Sequence, residues 1–125
     1  MFTLAILALA HQPDAPSIVC IEEPDRGIHP RLLEEVRNAL YRLSFPESYQ
    51  ETRHPIQVVA TTHSPHFLDL FKDNPEQVIV ADKTREHGVT FRNLGRDADA
   101  QAILEDSLLG QAWTAGAIGG VPLRS

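Results

Sequence analysis

The chain has 125 residues, 42% of them hydrophobic and 22% charged, a balance that fits one globular domain and excludes a disordered, collagen-like or membrane-bundle protein. Lys and Arg total 11 against 17 Asp and Glu, for a net charge of -6, so DNA or RNA gripped through its phosphate backbone is not supported as a partner. The single cysteine, Cys20, cannot close an internal disulfide, and with no secretory signature the expected compartment is the reducing cytoplasm.

Phe2 to Ala10 is rich in Leu, Ala and Ile and apolar on almost every face, which predicts a buried helix of about two turns. The run is about half of the roughly 20 residues a membrane-crossing helix needs, so no membrane span is expected. It lacks a basic leader, and His11-Gln12-Pro13-Asp14 replaces a small-residue cleavage site, which argues against a signal peptide. The chain opens inside this apolar stretch without a polar lead-in, as expected if an upstream lobe precedes it.

Pro13 and Pro16 break the chain, and Ser17 to Ile21 is a continuous run with β-branched residues, the pattern of a strand buried on both faces of a parallel sheet. After Pro30, apolar Leu32, Leu33, Val36, Leu40 and Leu43 recur at three- and four-residue steps, while Arg31, Glu34, Glu35, Arg37 and Asn38 point away. That spacing predicts an amphipathic helix lying on a sheet. Ile56 to Ala60 reads as a second buried strand, Pro65 to Phe71 as a short helix, Val78 to Ala81 as a third strand and Val89 to Leu94 as a fourth nearer an edge. Asp97 or Asp99 is placed to cap a last helix running to Leu109 and closed by Gly110. The tail from Gly116 to Pro122 is too rich in glycine for a regular element. Strands alternating with helices imply an α/β fold with a mainly parallel sheet and flanking helices.

Two segments carry chemistry. In Ile18-Val-Cys-Ile-Glu22-Glu23-Pro24-Asp25-Arg26-Gly27-Ile28-His29-Pro30, an apolar strand delivers adjacent acids to its carboxyl end, the edge where open α/β sheets bind ligands. Neighbouring acids on a strand point to opposite faces, so one can hold a hydrated Mg²⁺ while the other orients a water. The alternative is an acidic turn that simply stays solvated. In Val58-Val-Ala-Thr61-Thr62-His63-Ser64-Pro65, the second strand ends in hydroxylated residues and one imidazole, which can donate to a phosphoryl oxygen; the alternative is a turn histidine satisfied by backbone.

The first segment resembles the Walker B and D-loop region of ABC-type, AAA-like ATPases in the group of the overcoming-lysogenization-defect, RecF and SMC-like proteins. Thr61-Thr62-His63-Ser64-Pro65 resembles their switch (H-loop) motif, and Thr3 to Leu9, Val78 to Lys83 and the glycine-rich tail are similar to further parts of that group, so the likeness extends over nearly all of residues 1–125. The resemblance implies a partial P-loop NTPase fold forming a single C-terminal ATPase lobe. Its cofactors would be ATP and Mg²⁺, with Glu22 binding Mg²⁺ through water, Glu23 and His63 catalytic, and Asp25, His29 and Thr62 binding the nucleotide. A protein partner or a second copy would meet the chain through the D-loop face, Asp25 to His29. Asp is commoner than Glu at the first acid across ABC ATPases, which makes Glu22 a longer variant.

No Gly-x-x-x-x-Gly-Lys-[Ser/Thr] occurs in the sequence, so the nest of backbone N–H groups and the lysine that hold phosphates are absent. The resemblance implies a signature loop just before Met1 and a Walker A strand between the strands ending at Thr61 and beginning at Val78. Hydrolysis therefore requires a Walker A lobe from elsewhere, and the rival reading is a non-catalytic interaction or regulatory module derived from such an ATPase. A transition-metal site built from His63 and His66 with Glu22, Glu23 or His29 is disfavoured, because the two histidines lie across a Pro-containing turn and no cysteine pair supports it. Cys20 reads as an inert residue inside its strand, Ser64 lacks a nucleophile elbow, and Trp113 reads as a packing residue.

Overall fold

The computed structural model describes residues 2–121, with the side chain of Phe2 left aside. The chain divides into two compact units, Met1–His63 and Ser64–Ser125. It is a mixed helix and strand protein with a small parallel sheet.

In the first unit, α1 (Phe2–Ala8) runs into a 3₁₀ turn at Leu9–His11 and packs on α2 (Leu33–Ser44). Only part of α1 is covered: Ile6 and Ala10 are buried but Leu4 is 68% exposed, so the helix expected to be buried all round is buried along one stripe. On α2 the buried stripe is Leu33, Val36, Ala39, Leu40 and Leu43, with acids Glu34 and Glu35 in the first turn where they complement the helix dipole. Leu32, expected on that stripe, is 47% exposed because Pro30–Leu32 forms a 3₁₀ turn ahead of the helix, where the 3.6-residue period does not apply. The far end of α2 is tied down by Arg53, which donates to the carbonyls of Arg42 and Leu43 while its guanidinium pairs with Glu51 at 2.7 Å. These bonds satisfy carbonyls that the last helical turn leaves without partners.

Strands β1 (Ile18–Glu22) and β2 (Gln57–Thr61) pair in parallel, with Ile18 opposite Gln57 and Glu22 opposite Thr61. Strand alternation places Ile18, Cys20, Glu22, Gln57, Val59 and Thr61 on one face, and every one of them is exposed. The opposite face carries the half-buried Val19, Ile21 and Val58, with Ala60 exposed at its edge. The expectation of strands buried on both faces, with Cys20 enclosed, is therefore corrected: one face is open and Cys20 lies on it. A continuous apolar run signals the capacity to be covered on both sides, and among the described residues of this unit only one side is.

In the second unit, β3 (Ile79–Thr84) and β4 (Gly88–Asn93) form an antiparallel hairpin in a sheet of their own. The expected single, mainly parallel sheet is thus corrected: two strands pair in parallel and two antiparallel. The short Thr84-to-Gly88 connection explains the second pairing, since a few residues suffice for a hairpin and parallel neighbours need a long crossover. Val80 joins Leu94, Ala100, Leu104, Leu109, Ala112 and Ile118 in the core of this unit.

Helix α3 (Pro65–Asp69) is capped by Ser64, whose hydroxyl accepts from the Phe67 amide at 3.3 Å. Asp97 is the cap of α4 (Ala98–Asp106), accepting from the Ala100 amide at 3.0 Å. The helix expected to continue to Leu109 instead breaks at Ser107, and α5 (Leu109–Thr114) starts afresh. Gly110 does not close a helix. It lies within α5 where that helix crosses α3, and a Cβ there would fall 2.3 Å from the Pro65 carbonyl oxygen. The glycine tail folds back on the hairpin, with the Gly120 amide donating to the Asp82 carboxylate and the Trp113 indole donating to the Gly120 carbonyl at 3.2 Å. Pro122 lies outside the described residues. Among the described residues no helix is long and apolar enough to cross a membrane.

Candidate functional site

Because β1 and β2 are parallel and in register, their carboxyl ends lie at the same edge of the sheet. Glu22 is the last residue of β1 and faces Thr61, the last residue of β2; Glu23 follows the one, Thr62 and His63 the other. The two acids and the histidine singled out in sequence are thereby brought to one edge of the first unit.

The chain leaves β1 by a sharp turn. Glu23 has φ of 47°, a left-handed conformation that costs a residue with a Cβ about 1–2 kcal/mol. It also precedes Pro24, and the residue before a proline is normally extended. Its amide donates to the Thr61 carbonyl at 3.0 Å and to the Thr61 hydroxyl at 3.3 Å. Pro24 is fully buried, which anchors the turn. Two tight turns come next, the Arg26 amide donating to the Glu23 carbonyl at 3.0 Å and the Ile28 amide to the Asp25 carbonyl at 3.1 Å; Gly27, at φ 72°, supplies the positive dihedral in the second.

The acids differ in surroundings. Glu22 is exposed, and its carboxylate has no hydrogen-bond or ion-pair partner among the described residues. The Glu23 side chain is 29% exposed and lies 3.8 Å from the Arg26 guanidinium, a loose surface pair. One carboxylate oxygen of Asp25, Oδ1, is shielded from solvent and has no hydrogen-bond partner among the described residues. Such an atom ordinarily costs about 1–3 kcal/mol.

His29 caps the turn that opens α2: its Nδ1 accepts from the Arg31 amide at 3.2 Å. That bond leaves the proton on Nε2 in the neutral ring and Nε2 free to donate. His63 is exposed, and its imidazole has no partner among the described residues; Thr62 is half-buried.

Among the described residues no group of three or more His, Cys, Asp or Glu side chains could hold a metal ion by itself. A zinc or iron site of three or four protein ligands does not fit this donor set. Mg²⁺ fits it better, because the ion keeps several of its waters and needs few protein ligands, and an exposed carboxylate such as that of Glu22 is able to accept from one of those waters.

Sequence reasoning passed over Thr61 as a contributor in its own right. The available signals were its hydroxyl and its place at the end of the strand in the Thr61–Pro65 segment, and register with Glu22 is what brings it to the acids.

Comparison of the chain with curated proteins and with solved structures returned no match. The sequence model of one family, described as "AAA domain, putative AbiEii toxin, Type IV TA system", matches residues 2–69. That span exceeds half of the 125 residues and contains every candidate site residue from Glu22 to His63. The chain belongs to this AAA-domain family of ATPase-like proteins.

Proposed function

We propose that the chain is the C-terminal lobe of an ATP-binding and ATP-hydrolysing ABC-type ATPase of the SMC, RecF and overcoming-lysogenization-defect group, with a partial P-loop fold over residues 1–125 that is incomplete without a Walker A lobe. The observation that carries this reading is the meeting of Glu22, Glu23 and the Thr61–His63 segment at one edge of a parallel strand pair.

Each residue then has a chemical task. Glu22, exposed and without a partner among the described residues, would hold Mg²⁺ through water, and the ion would supply neutralisation of phosphate charge. Glu23, partly shielded and held in a fixed turn, accepts a hydrogen bond from the attacking water and polarises it. His63 donates to the terminal phosphate, and Thr62 supports the same phosphate end. Asp25 and His29 belong to a D-loop that meets a protein partner or a second copy across the nucleotide. The His29 Nε2, on an exposed residue, is the group such a neighbour would engage. The phosphate-cradling loop and lysine come from another chain or another segment.

The test is a titration of the full chain with Mg²⁺–ATP at millimolar concentration, monitored through backbone amide NMR signals. Perturbations centred on residues 22–29 and 61–63, and absent in Glu22→Ala, support the reading. Perturbations elsewhere, or none, refute it for this chain. Where a Walker A lobe added in trans gives turnover, Glu23→Gln is expected to lower kcat by about 10²–10⁴-fold while leaving ATP binding intact. Turnover unchanged by that substitution removes Glu23 from the mechanism.

A further inference from the structure

Resting on the nucleotide reading above, we propose that Thr61 is a positioning residue for Glu23: its side-chain hydroxyl, acting with its own carbonyl, holds the Glu23 backbone in the left-handed turn that sets the place of the Glu23 carboxylate.

Glu23 combines a positive φ with a following proline, and neither favours the conformation it adopts. A strained residue of this kind persists only where its surroundings over-determine it. Covalent continuity with the buried Pro24 supplies one restraint. The other is the Glu23 amide, shared between two acceptors on the same residue, the Thr61 carbonyl at 3.0 Å and the Thr61 Oγ1 at 3.3 Å. The carbonyl bond extends the β1–β2 ladder by one rung and would be available whatever residue stood at 61. The hydroxyl bond is specific to Thr or Ser, so it separates a device for this turn from ordinary sheet pairing.

Thr61 is also two residues before His63, at the end of the strand that carries it. The hydroxyl therefore ties the turn that places the acid to the strand end that places the imidazole. A change of that strand end toward or away from the edge alters the hold on Glu23.

Valine has nearly the shape of threonine without the acceptor, and serine keeps the acceptor without the methyl, so the pair of variants isolates the hydroxyl. The experiment uses the full chain as wild type, Thr61→Val and Thr61→Ser, with an unchanged thermal melting midpoint confirming that each folds. The readouts are the Glu23 Cα and Cβ chemical shifts, which register left-handed backbone, and the exchange rate of the Glu23 amide. Wild type and Thr61→Ser are expected to show the left-handed signature. Thr61→Val is expected to lose it and to exchange about five- to tenfold faster. A left-handed, equally protected Glu23 in Thr61→Val overturns the proposal.

In the complemented hydrolysis assay, Thr61→Val is expected to lower kcat by about tenfold or more with KM within about twofold, and Thr61→Ser to recover it. Equal loss in both variants, or a change confined to KM, also overturns it. A wild-type chain with no response to Mg²⁺–ATP removes the nucleotide reading, and the functional half of the proposal with it, while the Glu23 signals still decide whether Thr61 holds the turn.

Discussion

The amide of Glu23 is bonded to both oxygens of Thr61, the carbonyl at 3.0 Å and the hydroxyl at 3.3 Å, so the last residue of one strand holds the first residue beyond the other. Since Glu23 sits at φ 47°, the turn carries strain that a glycine would not feel. Glu23→Gly is expected to leave stability unchanged or to raise it by up to about 1 kcal/mol, read from the urea midpoint, although it removes the carboxylate. A loss greater than about 1 kcal/mol would show that the side chain, not the backbone, sustains this turn.

Gly110 presents the opposite case, a glycine required by proximity. A methyl group there would meet the Pro65 carbonyl oxygen at 2.3 Å and Asp69 Oδ1 at 2.9 Å, and that Asp69 oxygen also accepts from the Gly110 amide at 2.6 Å. Gly110→Ala is expected to destabilise the chain by about 1–3 kcal/mol or more, since backbone has to move to admit it. Chemical denaturation measures this, and a neutral result would mean that α3 and α5 pack less closely than these distances require.

Core and surface leucines should separate cleanly. Leu43 is completely enclosed, whereas Leu4 and Leu32 are 68% and 47% exposed. Leu43→Ala is expected to cost about 2–5 kcal/mol and Leu32→Ala less than about 0.5 kcal/mol in urea unfolding. Comparable costs at the two sites would contradict the break in periodicity at the 3₁₀ turn.

Two carboxylates are held below their ordinary range. For Glu51 the main cause is the side-chain hydrogen bond from Arg42, then that from Arg53. For Asp97 it is the Ala100 amide, with the Arg92 guanidinium adding to it against some desolvation. A carboxylate depressed in the folded state contributes stability above its unfolded value, 4.5 for Glu51 and 3.8 for Asp97, and loses that contribution as pH falls through the lower folded value. Thermal melting of wild type is therefore expected to decline below about pH 4.5, and Glu51→Gln and Asp97→Asn to decline less steeply there. Parallel acid limbs in all three proteins would count against these contacts as the source of the pH dependence.

How much was legible in sequence varied with the range of the interaction. The α2 stripe, the Asp97 cap and the order of strands and helices arise from periodicity and local hydrogen bonding, which act within a few residues. The two acids after one apolar run and the histidine after another marked the candidate site for the same reason, since a strand of known direction delivers its last residues to a known end. The partner of each strand was a different matter. Val78 to Ala81 and the more alternating Val89 to Leu94 read as strands of one mainly parallel sheet, yet a connection of a few residues makes them a hairpin.

The sequence by itself determined the order of the elements from β1 to β4, the chemistry available at the ends of β1 and β2, and membership of an AAA-domain family. Only the tertiary structure decided that Glu22 stands opposite Thr61, that Glu23 turns left-handed under the Thr61 hydroxyl, that Cys20 lies on an open face, and that Gly110 marks a helix crossing rather than a helix end. The physical reason is common to all four. Each depends on which segments distant in the chain come to lie side by side, and register, coverage and close approach are properties of that pairing that no single segment carries.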